Sequence, residues 1–418
     1  MSGRLGWPDF PIVDRRIELL MSYPASWTTI RRARLGTTLV FLGNGLGIGA
    51  WSIEIAELKA RLGATGFEMG GALFALAVAA LTGMGITGRL AQRYPVHRLC
   101  LLAALAFVIS VALPGLATGI GGLAMWLVLF GASNGALDVT MNSRASLIES
   151  TYDTPIMSSF HAAWSLGGGI GAALAGGLVG YGWPPAHVLG LVAALMLVPM
   201  CFAARGGAMG AGDASDETDP QSVRRVASCE GRRWPPRLLA LCVIAFCALL
   251  TEGALTDWMS IYLKDALGRD AGAFSIGFVA FSVGMFVGRL AGDRVISWLG
   301  RRRVAMAGAS GAAAALAVVL AEPSLISAGI GFVVVGLGLA NIVPITFSVA
   351  GATAHARPAG IAMAATTGYT GLLIGPVLIG GMTHAFTLDR TLWLLVGTML
   401  LMAAIGAGAL RVRGKRPS

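Results

Sequence analysis

The sequence predicts an all-α integral membrane protein of twelve transmembrane helices, arranged as two parallel-repeat six-helix bundles. Three observations predict it. Of 418 residues, 56% are hydrophobic and 12% charged, where a soluble domain carries about a quarter charged residues. Apolar windows of about twenty residues, the length that crosses a bilayer core, recur along most of the chain. The basic residues, finally, gather at one side of those windows.

Each window reads as a helix because hydrocarbon offers no partner to a free N–H or C=O, so every backbone group must bond within its own segment. The alternating pattern of a membrane barrel is absent. The expected spans are 36–56, 66–88, 99–118, 120–142, 155–179, 186–204, 238–262, 272–292, 304–321, 325–350, 359–382 and 391–410. With the N-terminus cytoplasmic, the inner side and its helix ends hold Arg4, Arg15, Arg16, Arg31, Arg32, Arg34, the Arg89–Arg98 and Arg289–Arg303 clusters, the central loop and the tail. That assigns 26 of the 31 Lys and Arg to the inside and leaves Lys59, Arg61, Lys264, Arg269 and Arg390 outside. Such asymmetry orients membrane helices. The net charge of +10 is therefore a topology signal rather than a nucleic-acid footprint. The expected location is a bacterial inner membrane, with the chain multi-pass, monomeric and cytoplasmic at both ends.

Cys100, Cys201, Cys229, Cys242 and Cys247 fall in expected helices, at their edges or in the central loop. Their spacing suggests neither an external disulfide nor a metal site, and no cofactor is expected. Residues 1–30 lack the apolar stretch of a cleavable signal. Two readings of the first residues stay open: a start at Met21, or a surface-lying helix through Ile12–Met21.

The expected organisation is a cytoplasmic extension (1–35), a first bundle (36–204), a linker (205–237), a second bundle (238–410) and a tail (411–418). The linker run Gly206–Ser228 mixes Gly, Ala, Ser, Asp and Glu before a basic stretch, the composition of a flexible connector. The halves then repeat at an offset near 200–208. Gly88-Arg-Leu-Ala-Gln-Arg93 returns as Gly288-Arg-Leu-Ala-Gly-Asp-Arg294, Asn44-Gly45 with Trp51 as Glu252-Gly253 with Trp258, and Gly131 with Asn134 as Gly338 with Asn341. Parallel repeats of this kind are a transporter plan.

On these residues the chain resembles the major facilitator superfamily. The family signature between helices 2 and 3 is matched in the second half by Gly288 through Asp293-Arg294 to Gly300-Arg301-Arg302-Arg303. In the first half Gln92 stands in place of the acid and Pro95 in place of the second glycine. The segments Asn134-Gly-Ala-Leu-Asp138-Val-Thr-Met-Asn142, Ser159-Phe-His161-Ala-Ala-Trp-Ser165 and Glu252-Gly-Ala-Leu-Thr-Asp257-Trp258 are similar to the fucose-permease-like bacterial branch. The resemblance implies a cytoplasmic gate at Gly88, Arg89, Gly288, Asp293 and Arg294, which latch neighbouring helices in one conformation. Leu127 occupies a position where proton-coupled members often carry Arg.

Polar groups inside a membrane are costly and usually face a cavity or a partner. In helix 4, Asn134, Asp138 and Asn142 lie i, i+4, i+8 on one face; they line a central cavity or bond between helices. Glu252 sits deep in helix 7, where a carboxyl group can exchange a proton; Glu252 and Asp138 are the candidates for proton coupling, and a purely structural acid is the alternative. Glu54 and Asp257 lie nearer the outer surface, where a partly hydrated acid is cheaper, and the structural reading is favoured for both. His161 has an ordinary pKa of roughly 6.5, suited to a relay, although a lone histidine is more often a structural donor. Trp51 and Trp258 occupy matching places and either stack on a ligand or anchor at the interface. Asn44, Asn341 and Tyr369 complete the expected cavity.

The glycines Gly167/Gly171, Gly176/Gly180, Gly284/Gly288/Gly292 and Gly371/Gly375 repeat at four-residue spacing and permit close helix approach. Pro344 and Pro376 are expected to kink helices 10 and 11. Gly131-Ala-Ser133-Asn-Gly135 fits the pattern of a hydrolase elbow, but lies within one continuous apolar helix rather than at the strained strand-to-helix turn the motif needs; an intramembrane enzyme is thereby disfavoured, and a receptor because no signalling domain is seen. The expected function is a secondary active transporter. It would move a small organic solute, a sugar or related metabolite, by alternating access with proton symport; efflux of a drug-like or secreted compound is the alternative. With few cations inside the spans, a neutral or weakly charged solute is expected.

Overall fold

The computed structural model describes residues 27–152, 156–205, 235–267, 273–353 and 357–410. Twelve helices among them are long and apolar enough to cross a membrane. They are α1 Trp27–Arg61, α2 Gly66–Leu90, α3 Val96–Ala112, α4 Ile120–Glu149, α5 Met157–Gly180, α6 Pro185–Arg205, α7 Pro236–Leu267, α8 Ile276–Leu299, α9 Arg301–Ala321, α10 Leu325–Thr353, α11 Arg357–Met382 and α12 Leu388–Ala409. No strand occurs among the described residues. The all-α, twelve-helix fold expected from the sequence is the one observed. The readings made for residues 12–21, most of the linker, Cys229, Arg269 and the tail lie outside the described residues.

Several helices outrun the expected spans. Hydropathy marks the hydrocarbon core, while the helical hydrogen-bond ladder continues through the headgroup layer. α8 shows the consequence, running on from residue 292 to Leu299. Arg289, assigned from sequence to a cytoplasmic cluster, therefore lies about 15 Å inside the end of its helix.

The odd-numbered helices start at the end of the bundle that holds both described chain ends, here the near end, and finish at the far end. Packing partners are mostly not chain neighbours. In the first half α1 packs on α5 and α6, α2 on α4, and α3 on α4 and α6. The second half repeats this, with α7 on α11 and α12, α8 on α10, and α9 on α10 and α12. The halves meet along α2 with α11, α5 with α8, and α1 with α7. Outward faces keep large apolar side chains exposed, as at Leu102, Leu105 and Ile109 on α3, the surface a lipid-embedded bundle requires.

Backbone contact fixes the α1–α5 crossing. A Cβ at Gly45 would stand 2.0 Å from the Trp164 carbonyl oxygen, and one at Gly171 2.0 Å from that of Leu46. Only glycine allows this approach. α10 is interrupted between Leu339 and Ile342. Pro344 has no N–H to offer the Ala340 carbonyl, so the break falls one turn before the proline. α11 by contrast runs unbroken through Pro376.

Candidate functional site

Near the midpoints of their helices, six side chains from five helices form one connected cluster. Asn44 on α1 donates through Nδ2 to Asn134 Oδ1 on α4 at 2.9 Å. Its own Oδ1 accepts from Trp164 Nε1 on α5 at 2.7 Å. Indole N–H can only donate, which fixes the orientation of the Asn44 amide. Gly45, beside Asn44, brings the α5 backbone close enough for this bond.

The chain of contacts crosses between the halves at Arg289 on α8. Its guanidinium carbon lies 5.8 Å from the centre of the Trp164 ring, within reach of a cation–π attraction. Nη1 donates to Ser165 Oγ at 2.6 Å and to the His161 carbonyl oxygen at 3.3 Å. Nη2 meets Glu252 Oε1 on α7, also at 3.3 Å. The Arg289 and Glu252 side chains are 13% and 19% exposed. At 3.3 Å this ion pair is looser than the 2.7–2.9 Å usual for a charged N–H···O contact.

Arg289 thus corrects the expectation of a site poor in cations. Sequence reasoning missed it because the span was ended three residues later, at 292, which made a mid-depth arginine look like part of the basic cluster at the near end. One signal was available: α8 is apolar on both sides of Arg289, with Phe286-Val287 before it and Val295-Ile296 after. A second buried cation, Arg144 on α4, is 6% exposed and hydrogen-bonds Cys100 of α3.

The other expected cavity residues divide. Asp138 Oδ1 accepts from Asn142 Nδ2 at 3.1 Å along the same helix, and Asp138 is also within electrostatic reach of Tyr369 on α11 across the interface. The His161 ring packs edge-on to Phe41, centroids 5.4 Å apart, so it is the carbonyl of His161, not its imidazole, that joins the cluster. Trp51 is 2% exposed and packs on Phe130; Trp258 is fully buried. Such burial excludes both as interfacial anchors. Asn341 stands in the α10 break and donates to the Gly288 carbonyl oxygen on α8 at 2.9 Å, a contact that clamps the interruption rather than opening onto the cluster.

At the near end Arg89, Asp293 and Arg294 are exposed, and their side chains form no ion pair with any described residue; Gly88 and Gly288 sit on the helices that carry them. The far end is joined. Ser52 on α1 donates to the Thr256 carbonyl oxygen on α7, Ser260 donates back to the Ser52 carbonyl oxygen, and Lys264 pairs with Glu57. Glu54 departs from the hydrated surface acid read from the sequence: it is 0% exposed and neither carboxyl oxygen has a hydrogen-bond partner. Asp257 is partly exposed. Ser133 packs within the first half, sharing a 2.6 Å hydrogen bond with Ser110, in a continuous helix unlike a hydrolase elbow. An apolar recess between α2 and α11, lined by Phe74, Ile374, Val377, Leu378 and Met382, is separate from these groups.

The profile of the Major Facilitator Superfamily matches residues 35–368 and, overlapping that, 241–418. An uncharacterised MFS-type transporter of Yersinia pestis is 31% identical over 373 residues, which cover 89% of this chain and 94% of that protein. The uncharacterised transporter y4wD of Sinorhizobium fredii is 34% identical over 385 residues, covering 90% and 97%. Membrane protein MosC of Rhizobium meliloti is 29% identical over 382 residues, with 90% of each covered. Among solved structures, the nucleoside transporter NupG superposes on 91% of this chain and 100% of its own at a TM-score of 0.72, with 13% identity. A mutant form of it gives 0.74 at 12%. At that identity the likeness is one of fold.

Proposed function

Since the chain belongs to the major facilitator superfamily and is a transporter rather than an enzyme, we propose that the mid-depth cluster is the solute site of a proton-coupled carrier working by alternating access. One observation carries the reading: Arg289 of the second half is held by Ser165 and Trp164 of the first, beside Glu252. A polar cluster shared by two bundles, at the depth where neither surface is near, is where a solute can be exposed to each side in turn.

The solute is a small polar metabolite of the sugar type. Asn44, Asn134 and Ser165 supply donors and acceptors for hydroxyl groups, and the Trp164 face suits the apolar side of a ring. Arg289 extends the range to solutes that carry an acidic group. Glu252 supplies the proton coupling: protonation of its carboxylate cancels the attraction that holds Nη2 and frees the guanidinium for the solute. Asp138, facing Tyr369, is a second carboxyl group within the same interface.

Contacts at the two ends support a carrier closed at the far end and open at the near end. Ser52, Thr256, Ser260, Glu57 and Lys264 join α1 to α7 at the far end, while Asp293 and Arg294 stand exposed at the other. The near end is assigned to the cytoplasm, because Arg31, Arg32, Arg34, Arg93, Arg98 and Arg301–Arg303 gather there. The chain would then import its solute by symport across a bacterial inner membrane.

The test is a ligand-induced thermal-shift screen over sugars, organic acids and amino acids, followed by flux in vesicles. A solute at a hundred times its Kd stabilises the fold by about 2.7 kcal/mol. A hit should be lost in Arg289→Met, and flux of the hit should lose its pH dependence in Glu252→Gln. Full binding in the first variant would remove the site assignment; an unchanged pH profile in the second would remove Glu252 from coupling.

A further inference from the structure

Glu54 is an acid of α1 that the cluster does not use, and its setting is unlike that of Glu57, which is paired with Lys264, or of Glu252, which is paired with Arg289. It lies on α1 between Ser52 and Glu57, the two residues through which α1 is joined to α7 at the far end. It is 0% exposed, and both carboxyl oxygens lack a hydrogen-bond partner. Trp51, one turn earlier on the same face of α1, also has an unpartnered and buried ring N–H. The charged groups that face Glu54 are Glu57 on its own helix and Lys264 on α7, and these two are already paired with each other. Among the described residues no donor is within hydrogen-bond reach of the Glu54 carboxyl group, and Lys264 is already taken by Glu57.

An ionised carboxylate in such a place would keep its full desolvation cost, several kcal/mol even after relaxation. Glu54 is therefore compatible with the closed far end only as the neutral acid.

We infer that Glu54 is a proton-binding site built into the far gate, and that α1 and α7 close over it only after it has taken a proton from far-side water. On opening, the Ser52–Thr256, Ser260–Ser52 and Glu57–Lys264 contacts part. Water then reaches Glu54, and the carboxyl group releases its proton to that side. The bond formed and broken is the carboxyl O–H, and the exchange partner is water at the far surface. Glu252, compensated by Arg289, couples its proton to the solute and so sets the pH dependence of flux; Glu54 couples its proton to closure of the far end and so sets the pH dependence of the far-open population without solute. This rests on the alternating-access reading above.

The experiment uses the full chain in lipid nanodiscs, with the native cysteines replaced and spin labels at Ala64→Cys and Ala385→Cys, in the far-end loops of the two halves. The inter-label distance distribution is read as the pH is raised, without solute. In otherwise unaltered protein the far-open population should grow with pH, by up to tenfold per unit while one proton is released. Glu54→Gln should stay closed across the range, and Glu54→Asp should keep a pH-dependent transition. The same pH response in Glu54→Gln as in the parent would overturn the proposal and leave alternating access standing. A distance that never changes in the parent at any pH would overturn both. Should Glu54→Gln fail to fold, a Glu54→Asp transition identical to the parent's in midpoint and amplitude would count against Glu54 as the titrating group.

Discussion

Arg289 of α8 donates to the Ser165 hydroxyl of α5 at 2.6 Å, the shortest of the contacts that Arg289 makes across the halves, beside those to the His161 carbonyl and the Trp164 ring. The partner on its own half, Glu252, is farther away, at 3.3 Å. The guanidinium is thus held more closely by a neutral hydroxyl of the opposite bundle than by its counter-ion. Any movement of one bundle against the other must stretch or break the Ser165 contact, so the position of Arg289 reports the relative position of the halves.

Removal of Arg289 alone leaves Glu252 facing an apolar interior without compensation. Arg289→Met should lower the stability of the solubilised protein by about 2–3 kcal/mol, below the usual range for a fully buried pair because both groups retain some exposure. Arg289→Met combined with Glu252→Gln should recover at least half of that loss. Thermal unfolding of the four proteins in one detergent gives the coupling directly. Additive losses would mean that the two groups do not form a functional pair.

Asn44 connects two helices through one amide, and its loss strands both partners. Asn44→Ala should cost about 1–3 kcal/mol, the range for leaving a buried donor or acceptor unmet. Trp164→Phe keeps an aromatic ring on α5 but removes the N–H together with the second ring of the indole, so it should cost about 2–4 kcal/mol, the unmet Asn44 oxygen and the lost volume together. Unfolding midpoints measure both losses. An Asn44→Ala protein as stable as the parent would mean that water replaces the amide, and that the cluster is wetter than its contacts imply.

The fold was legible in the sequence because its main signals are large: twenty-residue apolar windows, a basic side, and a repeat anchored on Gly88/Gly288 and Trp51/Trp258. Asn44, Asn134 and Glu252 were legible too, since a polar side chain in an apolar helix stands out whatever its partner. Pairings were not. Trp164 was read as one letter of a motif, and nothing in one dimension tells that its N–H meets Asn44. Arg289 was misplaced because a helix that continues past its hydropathy window hides how deep a residue lies. Glu54 was misjudged for a related reason: sequence gives depth along α1, whereas burial depends on which helices cover that face.

Backbone contact at the α1–α5 crossing makes a sharp contrast between glycines. A Cβ at Gly49 would stand 2.0 Å from the Gly168 carbonyl oxygen, whereas one at Gly71 meets nothing within 4 Å. Gly49→Ala should push α5 away and destabilise the protein by about 1–3 kcal/mol. Gly71→Ala should be neutral or slightly stabilising, because alanine is the better helix former. Equal unfolding temperatures for the two variants would contradict the crossing described here.

The Lys264–Glu57 pair joins α1 to α7 across the halves, with side chains 13% and 26% exposed. A partly exposed pair contributes up to about 1 kcal/mol, so its effect should show in a population rather than in folding. Lys264→Met should raise the far-open fraction by up to about fivefold at fixed pH, since each 1.4 kcal/mol is tenfold in an equilibrium constant and this pair is worth somewhat less. Glu57→Gln should produce a similar rise. The two together should add little beyond either alone, because the second substitution removes a partner already lost. The Ala64–Ala385 label distance measures this with no knowledge of the solute. Fully additive effects would mean that Lys264 and Glu57 act on the far end separately, Lys264 through Glu54 and Glu57 by some other contact, and the closure would then depend on the serine contacts at Ser52 and Ser260 instead.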